Sequence, residues 1–173
     1  GKYDEAIEAY SEAIRLDPNY ALSWVNKGNA LYNQGNYADA IEYYDEAIRI
    51  DPSYADAWDG KGDALNKQGN YADAIKCYDE AIRIDPSYAH SWNSKGNVLI
   101  EQGNYADAIK CYDEAIGIDP SYAKAWYNKG IALDHQHRYD EAITYFDKAI
   151  EINPDYAEAW NNKGISLEYM HKY

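Results

Sequence analysis

The sequence predicts an all-α solenoid, helix pairs stacked one on the next, and three observations carry the prediction. First, Gly28–Pro52 (GNALYNQGNYADAIEYYDEAIRIDP) returns 34 residues later as Gly62–Pro86, then as Gly96–Pro120 and Gly130–Pro154. A fixed period of about 20–50 residues is the signature of a repeat architecture. Second, apolar residues inside each unit recur at helical spacing, as in Ala40, Ile41, Tyr44, Ala47 and Ile48. Third, a helix pair of this size cannot cover its own apolar stripe, so it must stack on its neighbours.

Residues 4–17 read as one amphipathic helix with Ala6, Ile7, Tyr10, Ala13 and Ile14 on its stripe. Asp17-Pro18 ends it, because the residue before proline is pushed out of the α region. Full units follow at 21–54, 55–88, 89–122 and 123–156. In each, a first helix opens after an N-cap candidate, Asn19, then Ser53, Ser87, Ser121 and Asp155. Trp24, Gly28 and Leu31 share one face of that helix, and Gly28 lets a neighbouring helix come close. Gly35 closes it in a left-handed cap, and Asn36 caps the second helix. Residues 1–20 hold only a second half-unit and 157–173 only a first half, so the chain reads as a piece of a longer array.

The fixed positions are Trp24, Trp58, Trp92, Trp126 and Trp160; glycine four residues after each; Leu31, Leu65, Leu99, Leu133 and Leu167; Tyr37, Tyr71, Tyr105 and Tyr139; alanines seven apart, as at Ala40 and Ala47; and a closing proline. This pattern, W-x3-G-x2-L, Tyr, two alanines and Pro at period 34 over the whole chain, resembles the tetratricopeptide repeat family. The resemblance implies ten antiparallel helices wound as a right-handed superhelix, 1–173 forming one array. Three departures stand out. His137 and His171 replace the cap glycine, so the last two turns are expected to differ in shape. Gly117 stands where Arg49 and Arg83 stand, at a cost of about 1 kcal/mol against alanine. Tyr127 occupies the slot of Val25, Asp59 and Asn93.

A net charge of −14 argues against nucleic-acid and anionic-membrane surfaces, which need Lys and Arg to neutralise phosphate, and favours a basic partner. The 20 tyrosines fall largely at two fixed slots and belong to repeat packing. Cys77 and Cys111 share a slot in adjacent units. Stacked helices lie about 10 Å apart, and a disulfide needs Cα atoms within about 7 Å. Both therefore read as free thiols, which suits a reducing, cytoplasmic setting. No apolar run reaches membrane-spanning length, and no signal sequence is visible.

No Gly-rich phosphate loop, G-x-S-x-G or H-E-x-x-H is present, and no catalytic residue or cofactor is assigned. His135, His137 and His171 fall short of a zinc site's ligand set and read as turn histidines. Lys27, Lys61, Lys95, Lys129 and Lys163 form a ladder on the flank of the Trp stripe. It could be a cationic track for an acidic tail, but pairing with carboxylates of the second helices is the favoured reading.

The resemblance also implies that the first-helix face opposite the Trp stripe lines a peptide groove. That face changes from unit to unit: Leu22, Val25, Asn29 and Tyr32; Asp56, Asp59 and Asp63; His90, Asn93 and Asn97; Lys124, Tyr127, Asn128 and Ile131; then Asn161 and Asn162. It suggests an extended segment with a Lys or Arg near Asp56/Asp59/Asp63, apolar side chains toward both ends, and asparagines on its backbone. The bland alternative is solvated positions drifting after duplication. The carboxylate clamp of the family's chaperone-tail receptors is incomplete, since its first Lys slot holds Val25, Asp59, Asn93, Tyr127 or Asn161. Residues 157–173 of one chain could also stack on residues 1–20 of another. The expected function is a non-catalytic scaffold for a protein segment; the alternatives are a substrate-presenting arm of a larger enzyme and a structural or self-assembling solenoid.

Overall fold

A computed structural model describes residues 1–170. Its described residues hold ten α-helices and no strand: α1 (Lys2–Leu16), α2 (Ala21–Asn33), α3 (Tyr37–Ile50), α4 (Ala55–Lys67), α5 (Tyr71–Ile84), α6 (Ala89–Glu101), α7 (Tyr105–Ile118), α8 (Ala123–His135), α9 (Tyr139–Ile152) and α10 (Ala157–Met170). The all-α helix-pair solenoid is thus the fold, with helices starting at matching slots of every repeat. His171 and Tyr173 lie outside the described residues.

The chain falls into two compact units, Gly1–Pro86 and Ser87–Tyr173. In the first, α2/α3 and α4/α5 form helical hairpins; α1 packs on α2, α3 on α4, and the two first helices α2 and α4 also touch. The second repeats this scheme with α6/α7 and α8/α9, with α7 on α8 and α10 on both α9 and α8.

An aromatic ring from each second helix is driven against a glycine of its first helix. Tyr44, Tyr78, Tyr112 and Phe146 are at most 1% exposed. A Cβ added at Gly28, Gly62, Gly96 or Gly130 would lie 2.8, 2.7, 2.5 or 2.5 Å from the Cε1 of the corresponding ring. Tyr44 is wedged on its other side as well, where a Cβ on Gly60 of α4 would lie 2.7 Å away. Alanines Ala40, Ala47, Ala74, Ala81, Ala108, Ala115, Ala142 and Ala149, all 0% exposed, flank these rings and let the helices approach.

Each second helix ends as the proline rule requires: Asp51 before Pro52 has φ −132° and ψ 92°, an extended conformation. The N-caps differ from expectation. Tyr20, Tyr54, Tyr88 and Tyr122 occupy the cap position without a side-chain cap bond. Asn19 and the serines one residue earlier are held by an Asx turn instead: the Ser53 N–H and hydroxyl both donate to Asp51 Oδ1, at 2.9 and 2.6 Å. The indole N–H of each of Trp24, Trp58, Trp126 and Trp160 donates to the proline carbonyl six residues back, at 2.9–3.1 Å, tying the loop to the next helix.

Between hairpin helices, Gly35, Gly69 and Gly103 take φ of 85°, 77° and 73°, the expected left-handed cap. The expectation that His137 would alter the fourth turn is corrected. His137 adopts φ 60°, and the Arg138 N–H donates to Leu133 O at 3.0 Å just as the Asn36 N–H donates to Leu31 O at 2.9 Å. The closing hydrogen bonds outweigh the Cβ penalty. His137→Gly is therefore expected to raise stability by about 0.5–1 kcal/mol in urea denaturation. Gly117 sits in α7 with no atom within 4 Å of a built Cβ, so its absent side chain serves no packing purpose.

Candidate functional site

The variable residues of the first helices are not equally available. In the unit of residues 1–86, Leu22, Asn29 and Asp56 are exposed and Tyr32 and Asp63 half-buried. Val25, at 3% exposure, is packed in the layer where α2 meets α4, and Asp59 is 5% exposed. In the other unit Lys124 and Asn161 are exposed, His90, Asn97, Tyr127, Asn128, Ile131 and Asn162 half-buried, and Asn93 is 1% exposed. Contact between successive first helices buries a stripe that one helix considered alone would assign to solvent. The supposed carboxylate stripe thus presents Asp56 and part of Asp63, with Asp59 beneath.

The half-buried polar residues are tied together. Tyr44, Tyr78 and Tyr112 donate their hydroxyls to Asn29 Oδ1, Asp63 Oδ1 and Asn97 Oδ1 at 2.7, 2.7 and 2.9 Å. In the fourth repeat both partners change together: Phe146 has no hydroxyl, and Ile131 stands where an acceptor stood. That paired change was available in the sequence as a contact signal. Asn128 Nδ2 donates to both Asn93 Oδ1 and Asn97 Oδ1 at 2.9 Å, which fixes its amide between α6 and α8. Asn162 Nδ2 donates to the Tyr127 hydroxyl at 2.8 Å, and the Ser166 hydroxyl to Asp134 Oδ1 at 2.6 Å.

Electrostatically the two faces differ. Burial, with Asp63 and then Tyr37 and Asp59 nearby, pushes the Tyr32 hydroxyl up to about 12. Burial and then Asp63 also raise Tyr44 and Tyr78. Asp63 and Asp59 thus act on the tyrosine hydroxyls around them, as a lesser cause than burial. In the second unit Tyr127 packs on Tyr156 and Phe146, with ring centroids 4.9 and 5.9 Å apart, beside Ile131. The result is an aromatic and aliphatic surface with an amide edge.

Three lysines of the ladder pair as expected with carboxylates of the second helices. Lys61 binds Asp45 at 2.5 Å, Lys163 binds Asp147 at 2.6 Å, and Lys129 binds Asp113 and, at 2.7 Å, the Tyr145 hydroxyl. For Lys27 the slot where later repeats carry the aspartate holds Ser11, and its ammonium lies 4.3 Å from the Tyr43 ring centroid. His135 stacks on Tyr105 at 4.8 Å, and His137 Nδ1 lies 2.7 Å from the Tyr139 hydroxyl, both in keeping with turn residues. Cys77 and Cys111 are buried free thiols, and burial pushes Cys77 up to about 11, away from reactivity. No helix among the described residues is long and apolar enough to cross a membrane.

Comparison with known proteins agrees with this architecture. Family models described as tetratricopeptide repeat match residues 1–55 and 93–157, and 43–76 and 145–173. One described as TPR repeat matches 62–99. Among solved structures, MamA is 30% identical with a TM-score of 0.79, covering 91% of this chain and 92% of its own. YrrB, described as a TPR protein with an unusual peptide-binding site, is 25% identical with a TM-score of 0.76, covering 95% and 85%. The first TPR of Spaghetti (RPAP3), bound to the HSP90 peptide SRMEEVD, is 25% identical with a TM-score of 0.66, covering 68% and 93%. No curated protein matches. The recurring Trp, Gly, Ala and Pro slots, the glycine-seated rings and these matches agree, and the chain belongs to the tetratricopeptide repeat family.

Proposed function

We propose that this chain is a non-catalytic interaction scaffold that holds an extended protein segment against its first helices. The Asp56/Asp63 face of the first unit receives a basic side chain. The Tyr127/Ile131 face of the second receives apolar ones, and Asn29, Asn161 and Asn162 offer amides to the segment's backbone. The observation that carries this reading is the exposed Asp56 two turns along α4 from the half-buried Asp63, with Asp59 buried between them in sequence, in a chain of net charge −14. Peptide binding by YrrB and by RPAP3 supports the mode of use. The ligand differs, however: SRMEEVD is acidic, and the first Lys slot of the family's chaperone-tail clamp holds Val25, Asp59, Asn93, Tyr127 and Asn161 here, the first three of them buried. The acidic face repels such a tail.

The test uses a synthetic peptide of alternating leucine and lysine, titrated calorimetrically. Asp56→Lys combined with Asp63→Asn is expected to weaken binding by about tenfold or more, as loss and reversal of facing charges does. Asparagine already stands at the Asp63 slot as Asn29 and Asn97, each accepting a tyrosine hydroxyl, so the fold tolerates it. Added salt should weaken binding too. No binding by the parent chain, or equal affinity in the double variant, overturns the reading.

A further inference from the structure

One slot of the second helices holds a ring in some repeats and a thiol in others: Tyr43 and Tyr145 in the first and fourth, Cys77 and Cys111 in the second and third. Where tyrosine stands, its ring has two partners. It lies against the tryptophan of its repeat, with ring centroids 5.7 Å apart for Trp24 and Tyr43 and 5.8 Å for Trp126 and Tyr145. A ladder lysine lies over it as well, the ammoniums of Lys27 and Lys129 being 4.3 and 4.1 Å from the two centroids, a cation–π arrangement. The Lys129 ammonium also donates to the Tyr145 hydroxyl at 2.7 Å. In the third repeat the tryptophan and the lysine remain and the ring is gone. Beside Cys111 there is instead a cavity of about 470 Å³, whose walls include Trp92, Lys95 and Leu99 of α6 and Asp107, Cys111 and Glu114 of α7. The opening at the same place in the first repeat is lined by Trp24, Glu42, Tyr43, Asp45 and Glu46, and neither Lys27 nor Leu31 lines it. Exchange of the ring for a thiol thus extends the space inward, to a size usual for small-molecule sites.

We propose that the cavity beside Cys111 binds a small phenol. The ring lies against the Trp92 indole and its oxygen accepts from the Lys95 ammonium, the two contacts that Tyr145 makes with Trp126 and Lys129 in the fourth repeat. The Lys95 ammonium lies 6.0 Å from the Trp92 ring centroid, so both partners border one space. Leu99 and the Cys111 sulfur supply an apolar floor. The second repeat carries Trp58, Lys61, Leu65, Asp73, Cys77 and Glu80 at the same slots, so the α4/α5 hairpin offers a second copy of the site. Helical spacing places Trp92, Lys95 and Leu99 on the side of α6 opposite His90, Asn93 and Asn97. A phenol bound there leaves the face proposed for the extended segment uncovered, and the two readings stand or fall separately.

Titration of p-cresol, the isolated tyrosine side chain, into the isotope-labelled 173-residue chain tests this, read on the indole N–H resonances. Saturable shifts in the millimolar range are expected at Trp92 and Trp58. None is expected at Trp24 and Trp126, where Tyr43 and Tyr145 already lie against the indole. Cys111→Tyr should abolish the response of Trp92 and leave that of Trp58, which also reports that the variant is folded. The substitution suits the fold, because tyrosine holds this slot in two repeats. Toluene, which has no oxygen, should bind about tenfold more weakly, the weight of a hydrogen bond from a charged donor. A Gly-Tyr-Gly peptide separates the sources of such a ring. Affinity equal to that of p-cresol assigns the site to a tyrosine side chain of a protein ligand, and failure of the peptide beside binding of p-cresol assigns it to free phenols. A Trp92 resonance that p-cresol leaves in place overturns the proposal. So do equal affinities for toluene and p-cresol, or a Trp92 response that persists in Cys111→Tyr.

Discussion

Tyr112→Ala is expected to lower the free energy of unfolding by about 3–5 kcal/mol, the range for truncating a fully buried aromatic side chain. The Tyr112 ring is 1% exposed and fills the gap between α7 and the bare backbone of Gly96. With no side chain on the opposing residue, nothing can relax into the space, so the cavity term adds to the lost transfer energy. The hydroxyl contributes separately through its 2.9 Å bond to Asn97 Oδ1. Tyr112→Phe keeps the ring and should cost only about 1 kcal/mol, since Asn97 remains bonded by Asn128. Urea denaturation followed by both tryptophan fluorescence and circular dichroism measures the two losses. Equal losses would mean that the hydroxyl, not the ring, holds the helix pair together.

The same rings show what the sequence did and did not disclose. Helix positions were legible because propagating one unit at period 34 sets every start, at Ala21, Ala55, Ala89, Ala123 and Ala157 and at Tyr37, Tyr71, Tyr105 and Tyr139. The lysine pairing was legible for a similar reason, as helix geometry puts Lys61 within reach of the preceding second helix and Asp45. The candidate face was legible only in part. Helical spacing identifies the residues opposite a tryptophan stripe, but it does not count a second neighbour. Val25 and Asn93 are buried because successive first helices also touch, α2 with α4 and α6 with α8. The caps were missed because a serine after proline reads as an N-cap by residue type. The aspartate before that proline offers its carboxylate to the same serine at shorter range. The Tyr–Asn and Phe–Ile pairing needed comparison between repeats rather than along one.

Gly96→Val should be costly for the reverse reason, overfilling instead of emptying. A Cβ there would stand 2.5 Å from Tyr112 Cε1 and 2.8 Å from Cζ, well inside contact distance. Tyr112 cannot swing aside, because alanines at 0% exposure pack beside it and its hydroxyl is anchored on Asn97. The helices must separate, with a penalty of about 1–3 kcal/mol or more. Helix propensity runs the other way, since valine in a helix is favoured over glycine by a few tenths of a kcal/mol. Gly164 isolates that smaller effect: it holds the same slot with nothing within 4 Å, so Gly164→Val, measured at low concentration, should be neutral or slightly stabilising. The opposite signs separate two explanations of a glycine that recurs every 34 residues. If the slot serves ring packing, Gly96→Val destabilises and Gly164→Val does not. If glycine is kept for backbone flexibility, the two substitutions shift stability together, and the seat-and-ring account of these helix pairs fails.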